Sequence, residues 1–363
     1  MKKIVSLHPV YACNKDFFTR DFWQFSYTFL KKKWYNAETR SLKSDNETNF
    51  EVNGQLWKWF KSKFHLYLAL FRYWKNIDIL HQYHIYKYSL LWNIIYKLRN
   101  RKWKIFIKMD TPLFLENKDA RKEILKVNIY ILYLFFSIVD YIWFEDNKLL
   151  KFYSDTFPKY KHKFIKTVNW TIIEDEFIDN IQKKNYIVLC GRFGSKQKNY
   201  ELFLKVLEEN KLNLQWWNIY LLWSMTNEFS KKLNILKNNN TYVKKYVKSL
   251  WFIRDKNVLY DTISKAKIFL HTANREWDPN IQYDAMFCWC VLVSTNVANI
   301  QQNYPKKYAY YYETNCLKWL KSQLNKAIKD TQKLNNNHYI TIQKHFLNNF
   351  TIEKNLEILL KER

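Results

Sequence analysis

The sequence predicts an α/β protein made of two doubly wound domains, and three observations lead to this prediction. Short apolar runs alternate with segments of helical period along most of the chain. The alternation forms two successive series, which is typical of two parallel sheets with helices packed on their faces. The 363 residues also suit two domains better than one large core.

The first series predicts an N-terminal domain over 1–168. Its candidate strands are KIVSLH (3–8), YNAETRSL (35–42), DILHQYH (78–84), KIFIKMD (104–110), DYIWFED (140–146) and FIKTVN (164–169). The segment FWQFSYTFLKKK (22–33) has helical period. VNIYILYLFFSIV (127–139) is much shorter than the about 20 residues of a bilayer span, so we expect a buried helix.

The second series predicts a C-terminal domain over 169–344. Its candidate strands are YIVLCGRF (186–193), NIYLLWS (218–224), TYVKKYV (241–247), KIFLHT (267–272), CVLVST (290–295) and YAYYYE (308–313). Helical period appears in 202–210 and 258–266. We expect a terminal helix over 345–363, with Ile352, Leu356 and Leu359 on its apolar face, to pack back on the N-terminal domain.

The composition indicates a folded protein with anionic partners. Hydrophobic residues make up 48% of the chain, and the net charge is +27. Such a charge favours nucleotides, nucleic acid or an acidic membrane surface. An AT-rich genome also produces a chain rich in Lys, Asn, Ile, Tyr and Phe, so this alternative explanation of the charge stays open.

The cysteines and the N-terminus favour a cytoplasmic protein. Of the five cysteines only Cys288 and Cys290 are closely spaced, and no second pair accompanies them. This spacing argues against both a disulfide framework and a zinc site. MKKIVSLHPVY begins with basic residues, but its apolar run is too short for a cleavable signal.

Glycine is scarce and tryptophan is abundant, and the two facts belong together. An average domain contains about 7% glycine, whereas this chain has 3 glycines and 16 tryptophans. Several tryptophans stand where a helix or strand ends and where the chain needs a residue with positive φ. These are Trp34, Trp103 and Trp289 after predicted helices, Trp223 and Trp251 after predicted strands, and Trp170 in a turn.

Replacing these tryptophans and Trp277 by glycine reveals a pattern. The segment from 274 to 289 becomes NREGDPNIQYDAMFCG, and 190–199 reads CGRFGSKQKN. The chain then resembles the retaining GT-B glycosyltransferases of the large family four group. The resemblance is specific over about 165–300 and weaker over the first half. It implies two Rossmann-like βαβ domains whose parallel sheets face a central cleft.

We hypothesise that many of these tryptophans are UGA codons that the source organism reads as glycine. Codons UGG at 103, 170, 223, 277 and 289 would contradict this hypothesis. Trp57, Trp59 and Trp319 lie in ordinary amphipathic contexts, and one of Trp216 and Trp217 is expected to be genuine. A truly tryptophan-rich protein is the alternative.

The resemblance assigns the first donor-binding element to the loop over 190–199. Its G-R-x…K-N pattern implies that Arg192 and Lys198 hold the diphosphate of a nucleotide sugar. Gly191 and Gly194 let backbone N–H groups approach the phosphates. A solvated basic loop is the alternative interpretation.

The second element follows the strand KIFLHT. By the resemblance Glu276 binds hydroxyls of the transferred sugar, and Asp284, where the family has Glu, binds the ribose. The backbone around Asn280 and Ile281 opens a helix that can meet the phosphates. Glycine in place of Trp277 would let the backbone approach the sugar, whereas an indole there would fill the pocket. A charged helix cap is the alternative.

In the N-terminal half, His84 and Asp110 each end a predicted strand, where open α/β sheets bind ligands. His84 is a candidate sugar contact and Asp110 a candidate acceptor contact, and ordinary core or surface roles remain open for both. His271, which precedes the second element, is expected to pack structurally.

The sequence thus predicts a retaining, metal-independent glycosyltransferase. It would move a sugar from a nucleoside diphosphate, such as a UDP- or GDP-sugar, to a glycan or lipid-linked acceptor in the assembly of cell-surface polysaccharide. No other cofactor and no nucleic acid is expected, and the basic N-terminal domain is a candidate for peripheral contact with an anionic inner membrane. The alternatives are an inactive scaffold of the same fold and a basic nucleic-acid-binding protein.

Overall fold

The chain divides into two compact units. Unit 1 comprises Met1–Ile172 together with Ile352–Arg363, and unit 2 comprises Ile173–Thr351. The computed structural model describes residues 2–12, 25–27, 29, 35–42, 49–52, 54–83, 87–102, 104–109, 129–167, 182–209, 214, 216–251, 253, 255–276, 279–297, 300–351 and 354.

Unit 1 is built on one sheet. Its strands are β1 (Lys3–Ala12), β2 (Asn36–Leu42), β3 (Phe50–Val52), β4 (Gln55–Phe60), β5 (Ile79–Tyr83), β6 (Lys104–Met109), β7 (Tyr141–Phe144) and β8 (Phe164–Lys166). Within the described residues their order is β3-β4-β2-β1-β5-β6-β7-β8. Only the β3–β4 pairing is antiparallel there; the other neighbours are parallel.

The helices of unit 1 cover the sheet because their apolar faces complement the strand residues. They are α1 (Lys63–Tyr73), α2 (Lys87–Arg99), α3 (Ile129–Ile138) and α4 (Asn147–Thr156), with short 3-10 turns at Trp74–Asn76 and Pro158–Lys163. Leu7 and Ile107 from the strands pack with Leu66 of α1 and Phe136 of α3 in one core. A second core contains Ile4, Phe25, Phe106 and Trp143.

Unit 2 is built on a second sheet, which is parallel throughout its described residues. Its strands are β9 (Lys184–Cys190), β10 (Asn218–Leu222), β11 (Val247–Leu250), β12 (Ala266–His271), β13 (Val291–Thr295) and β14 (Ala309–Tyr312), in the order β11-β10-β9-β12-β13-β14. Its helices are α5 (Glu201–Glu208), α6 (Asn227–Asn239), α7 (Thr241–Tyr246), α8 (Lys256–Ser264), α9 (Asn280–Phe287), α10 (Ile300–Asn303), α11 (Leu317–Thr331) and α12 (Asn336–Asn349). A 3-10 turn spans Lys306–Tyr308.

Eleven of the twelve predicted strands are present within a few residues of their predicted limits, and one prediction was wrong. TYVKKYV (241–247) forms helix α7, and the strand begins only at Val247. The Asn240 side chain accepts a hydrogen bond from Val243 N at 3.1 Å, which starts the helix where the apolar alternation suggested a strand.

The sequence reasoning also missed a hairpin and overestimated the burial of α3. Strands β3 and β4 pair with Val52 opposite Gln55, so two residues, Asn53 and Gly54, connect them. Asn-Gly is the preferred sequence for such a two-residue connection. In α3, Leu132, Phe135 and Phe136 are buried as predicted. The face with Tyr130, Ile131 and Leu134 is exposed.

Several predictions fall outside the described residues. Of the helix predicted over 22–33, only 25–27 and 29 are described, and they are helical. Trp34, Trp103 and Trp170 lie outside, as do Ile352, Leu356 and Leu359. Among the helices of the described part, none is long and apolar enough to cross a bilayer.

Candidate functional site

The candidate site lies in unit 2 at the carboxyl ends of β9 and β12. The chain passes from β9 to β10 on one side and returns through β12 on the other, so the strand order reverses between these two neighbours. Open α/β sheets bind ligands at such a switch point. Both sequence motifs follow these strands: 191–199 follows β9, and the segment with Glu276 follows β12.

The loop after β9 has a defined backbone path. Gly191 and Gly194 have φ of +151° and +87°, values that L side chains rarely adopt. At Gly194 an added Cβ would lie 2.9 Å from the Cβ of Thr226, so space as well as backbone angle requires glycine. Phe193 N donates to Ser224 O at 3.1 Å, and Thr226 N donates to Phe193 O at 3.0 Å, which ties the loop to the segment after β10.

The two motif segments are joined directly by hydrogen bonds. Asn274 N donates to Gln197 O, and the Thr272 hydroxyl donates to Lys198 O, each at 2.8 Å. The Asn199 amide donates to Asn274 Oδ1 at 3.0 Å. These residues lie more than 70 positions apart in sequence. The sequence analysis did not single out Thr272, Asn199 or Asn274, because only the β9–β12 pairing brings them together.

Lys198 and Glu276 form an ion pair at the centre of this region. Their side chains are 16% and 8% exposed, so the pair is shielded from bulk water. Burial opposes ionisation of Glu276, but the neighbouring His271 ring and the charge of Lys198 outweigh it and lower the pKa of Glu276. Both residues were predicted to belong to one site, and the structure brings them together.

His271 also belongs to this cluster, although the sequence suggested a packing role. It ends β12 and is fully buried, with Nδ1 3.1 Å from Ser294 Oγ on β13. Its Nε2 lies 3.7 Å from Glu276 Oε1. Burial lowers the pKa of His271, so the ring is neutral at pH 7. The three side chains Lys198, Glu276 and His271 thus converge on one point.

Arg192 lies on the solvent side of the same loop. It is exposed, and its Nη2 donates to Gln197 Oε1 at 3.0 Å. Gln197 in turn donates to Arg275 O at 3.2 Å. The guanidinium is therefore oriented by the loop while remaining accessible to an anion.

Helix α9 begins beside the cluster. Pro279 is its N-cap and makes no side-chain cap bond, and Asn280 and Ile281, the two predicted backbone contacts, are half-buried in its first turn. Asp284 is 5% exposed and accepts a hydrogen bond from the Tyr260 hydroxyl of α8 at 2.9 Å. Tyr260 is another residue that the sequence did not reveal. Among the described residues no cluster of three His, Cys, Asp or Glu side chains could hold a metal ion.

Three predicted site residues lie outside the described residues. They are Trp277 in the second motif, His84 and Asp110. Strand β5 ends at Tyr83, directly before His84, and β6 ends at Met109, directly before Asp110.

Among the described residues, three tryptophans occupy backbone positions that favour glycine. Trp216, Trp223 and Trp289 have φ of +69°, +135° and +61°. At the end of α9, Trp289 N donates to Met286 O at 3.0 Å, and Cys290 N donates to Ala285 O at 2.9 Å. These two bonds form a Schellman motif with Trp289 at the left-handed C′ position. The adjacent residues Trp216 and Trp217 differ in burial. The Trp216 side chain is 76% exposed, whereas Trp217 is 1% exposed and lies in the core.

Comparisons with protein families and with curated proteins each gave no match. Solved structures match over nearly the whole chain. HepE from Anabaena, in complex with UDP, has a TM-score of 0.69 at 12% identity, covering 99% of this chain and 98% of its own. The galactosyltransferase WaaB of the lipopolysaccharide outer core has a TM-score of 0.64 at 13% identity, with 100% of both chains covered.

A third solved structure, sucrose-phosphate synthase from Thermosynechococcus elongatus, has a TM-score of 0.63 at 11% identity and covers 99% of this chain and 98% of its own. With two α/β units on parallel sheets, these matches decide the architecture. The chain has the GT-B fold. In GT-B terms, unit 2 is the second of the two α/β domains, and the Lys198–Glu276 pair lies at the switch point of its sheet.

Proposed function

We propose that this GT-B chain is a glycosyltransferase that moves a sugar from a nucleoside diphosphate to a glycan or lipid-linked acceptor. Retention of the anomeric configuration, metal independence and membership of the family four group belong to the same proposal. The observation that carries it is the buried Lys198–Glu276 pair, held between two loops at the switch point. The structure of HepE, which shares the fold, is in complex with UDP, and another contains UDP-glucose.

Cationic groups would stabilise the departing nucleotide. Negative charge develops on the diphosphate as the glycosidic bond breaks, and fixed positive groups lower the energy of that state. Arg192 is exposed and oriented, and Lys198 is fixed by Glu276. The N–H groups of Asn280 and Ile281, at the start of α9, would add the positive end of a helix. This arrangement would supply the charge that a metal ion supplies in other enzymes.

The two carboxylates would bind the two sugars of the donor. Glu276 would accept hydrogen bonds from the transferred sugar, because a carboxylate can receive vicinal hydroxyls. Asp284 would bind the ribose, and the Tyr260 hydroxyl at 2.9 Å orients its carboxyl group. Gly191 and Gly194 would leave room for the phosphates. His84 as a sugar contact and Asp110 as an acceptor contact complete the proposal on the side of unit 1, and no side chain is assigned as a nucleophile.

The proposal includes glycine in place of several tryptophans, and the backbone angles support it. A non-glycine residue in the left-handed region costs roughly 1–2 kcal/mol, and Trp216, Trp223 and Trp289 each have positive φ. Glycine at 277, in place of Trp277, would open the loop beside Glu276. The adjacent residues Trp216 and Trp217 provide a test of the glycine assignment. In this proposal position 216 is a glycine in the natural protein, and Trp217 is a genuine tryptophan.

Replacing each member of this pair should have opposite effects. Trp216→Gly relieves backbone strain and loses little burial, so we expect a rise of about 0.5–1 kcal/mol in the free energy of unfolding. Trp217→Gly empties a core position and should lower it by about 3–5 kcal/mol. Denaturant titration measures both. A loss of stability in Trp216→Gly would contradict the glycine assignment there.

Peripheral contact of unit 1 with an anionic membrane is a further part of the proposal. Helix α3 exposes Tyr130 and Leu134, and the Lys163 ammonium lies at its C-terminal end, 2.8 Å from Val139 O. Apolar side chains beside cations suit the headgroup region of an anionic bilayer. Vesicle flotation with and without anionic lipid tests this contact, and equal flotation in both would refute it.

A binding screen tests the central proposal. The full chain, as printed and with glycine at 216, 223, 277 and 289, is titrated with UDP, GDP and ADP and with their glucose and galactose conjugates. We expect at least one nucleoside diphosphate and its sugar conjugate to bind. Glu276→Gln should lose sugar transfer and still fold. No binding by either form would contradict the proposal. Binding of nucleotides without transfer would favour an inactive scaffold, and binding of oligonucleotides alone would favour a nucleic-acid-binding protein.

A further inference from the structure

His271 presents a buried nitrogen to the carboxylate of Glu276 without bonding to it. Nε2 has no hydrogen-bond partner although the ring is fully buried. Its distance to Glu276 Oε1 is 3.7 Å, which is too long for a good hydrogen bond. Buried polar nitrogens are normally satisfied, so this exception calls for a partner from outside the chain.

The other ring nitrogen is held in place by β13. Nδ1 lies 3.1 Å from Ser294 Oγ, and the Tyr312 hydroxyl donates to the His271 backbone oxygen at 3.1 Å. Ser294 Oγ also lies 2.9 Å from Thr295 O. The ring therefore cannot rotate toward Glu276 to close the gap without breaking its contact with Ser294.

The electrostatics of the cluster favour one tautomer. The Glu276 carboxylate stabilises a proton on Nε2. In that tautomer the Ser294 hydroxyl donates its single proton to Nδ1 instead of to Thr295 O. Nε2–H is thus a donor that faces an acceptor across 3.7 Å. A hydroxyl group both accepts and donates, and its oxygen can lie about 2.8 Å from each of two atoms at this separation.

We propose that His271 Nε2 and Glu276 together bind one hydroxyl group of the transferred sugar, which makes His271 a specificity-determining residue. The inference rests on the proposed function, because it assigns a role within that donor site. Lys198 compensates the charge of Glu276, and the imidazole is neutral. The cluster therefore has no net charge, and its ligand is an uncharged, hydroxyl-bearing sugar.

Calorimetry separates the contribution of the sugar from that of the nucleotide. The probes are the nucleotide sugar that binds most tightly in the screen above and its parent nucleoside diphosphate. In His271→Ala we expect the nucleotide sugar to bind about three- to tenfold more weakly, the value of one hydrogen bond. The affinity for the nucleoside diphosphate should stay within about twofold, because His271 does not reach the phosphates in this assignment.

Two conservative variants provide matched controls. An asparagine side chain is long enough for the Ser294 contact but stops short of the Nε2 position, so His271→Asn should show the same loss as alanine. The glutamine amide reaches the Nε2 position, and His271→Gln should bind the nucleotide sugar within about threefold of the unsubstituted chain. Circular dichroism melting verifies that each variant folds. If His271→Ala does not fold, the asparagine and glutamine variants decide.

Single-deoxy analogues of the sugar identify the hydroxyl. The analogue that lacks the bound hydroxyl should bind the unsubstituted chain and His271→Ala with the same affinity, because the contact with His271 is already absent. Equal weakening of nucleotide and nucleotide sugar, or no weakening of either, would overturn the inference while leaving the proposed function intact. If the unsubstituted chain binds no nucleotide and no nucleotide sugar, the proposed function itself fails.

Discussion

Each unit buries one glutamate in an ion cluster, and the two clusters are built differently. Glu38 lies within strand β2 of unit 1 with 2% of its side chain exposed, and Lys3, Arg40 and Lys58 contact its two oxygens at 2.6, 2.6 and 3.3 Å. Glu276 of unit 2 lies in a loop beyond β12 and pairs with Lys198 alone among the cations of lysine and arginine in the described residues.

The difference separates a carboxylate that stabilises a fold from one that is available to a ligand. Three cations surround Glu38 in the middle of a strand, so its acceptor sites are occupied by the protein itself. Glu276 is flanked by a histidine nitrogen that it does not reach, and it lies in a segment whose partners come from a second loop. Burial opposes the ionisation of Glu38, but Arg40 and Lys3 outweigh it and lower its pKa to about 2.

Removing the charge at position 38 should have the largest effect on stability. Glu38→Gln leaves the guanidinium of Arg40, which is 1% exposed, without its counter-ion. Breaking such a buried pair costs about 3–5 kcal/mol. Denaturant titration measures the loss. A variant as stable as the parent chain would remove the basis for calling this cluster structural.

The same substitution at position 276 should act on activity. Glu276→Gln is expected to reduce sugar transfer by about 100-fold or more, as removal of one transition-state contact does in other enzymes. Its unfolding free energy should change by less than that of Glu38→Gln, because the Lys198 side chain is 16% exposed whereas the Arg40 side chain is 1% exposed. Transfer rates at saturating donor, measured beside melting curves, provide the comparison. A strong loss of stability with intact transfer would reverse the two assignments.

The acid sensitivity of unit 1 should depend on Glu38. Its folded pKa of about 2 lies below the ordinary value of 4.5, so its stabilising effect is complete above about pH 5.5. This stabilisation, about 3 kcal/mol in the free energy of unfolding, is lost as the pH falls from about 5.5 toward about 2. The difference in unfolding free energy between the parent chain and Glu38→Gln should therefore shrink over this range. A difference that is constant with pH would show that the unfolded chain shares the low pKa.

The smallest effect is expected where a cation is redundant. Lys58 is 37% exposed and contacts Glu38 at 3.3 Å, the longest of the three contacts. Lys58→Gln should cost at most about 0.5 kcal/mol, because water screens this pair and two cations remain. The matched change Lys198→Gln removes the one lysine at Glu276 and should weaken nucleoside diphosphate binding clearly. If Lys58→Gln leaves the stability almost unchanged and Lys198→Gln also leaves nucleoside diphosphate binding almost unchanged, the contrast between the two clusters is contradicted.

Local sequence pattern was enough to predict most of the strands and to place Lys198 and Glu276 in one region. Apolar runs such as KIFIKM and VLVST end close to where β6 and β13 end, because burial on both faces of a parallel sheet demands continuous apolar side chains. Lys198 and Glu276 were predicted from the family pattern, and the structure pairs them. In both cases the signal lies within a few adjacent residues.

The other features of the site could not be predicted, because they depend on contacts between segments that are distant in sequence. Whether His271 packs or faces a carboxylate depends on the β12–β13 register, which places Ser294 beside it. The link from Tyr260 to Asp284 depends on how α8 lies against α9. TYVKKYV was misassigned because its apolar alternation suggested a strand, whereas the Asn240 side chain caps a helix there. None of these determinants is visible in local apolar periodicity.

Two fully buried indoles in the described part of the chain have a practical consequence for spectroscopy. Trp143 lies in a core of unit 1, and Trp217 lies in the interior of unit 2, each 1% exposed. An indole that leaves an apolar interior for water changes its emission, so each residue can report on the integrity of its own unit. Replacing one and then the other by phenylalanine would show in a melting experiment whether the two halves of the chain unfold together or one after the other.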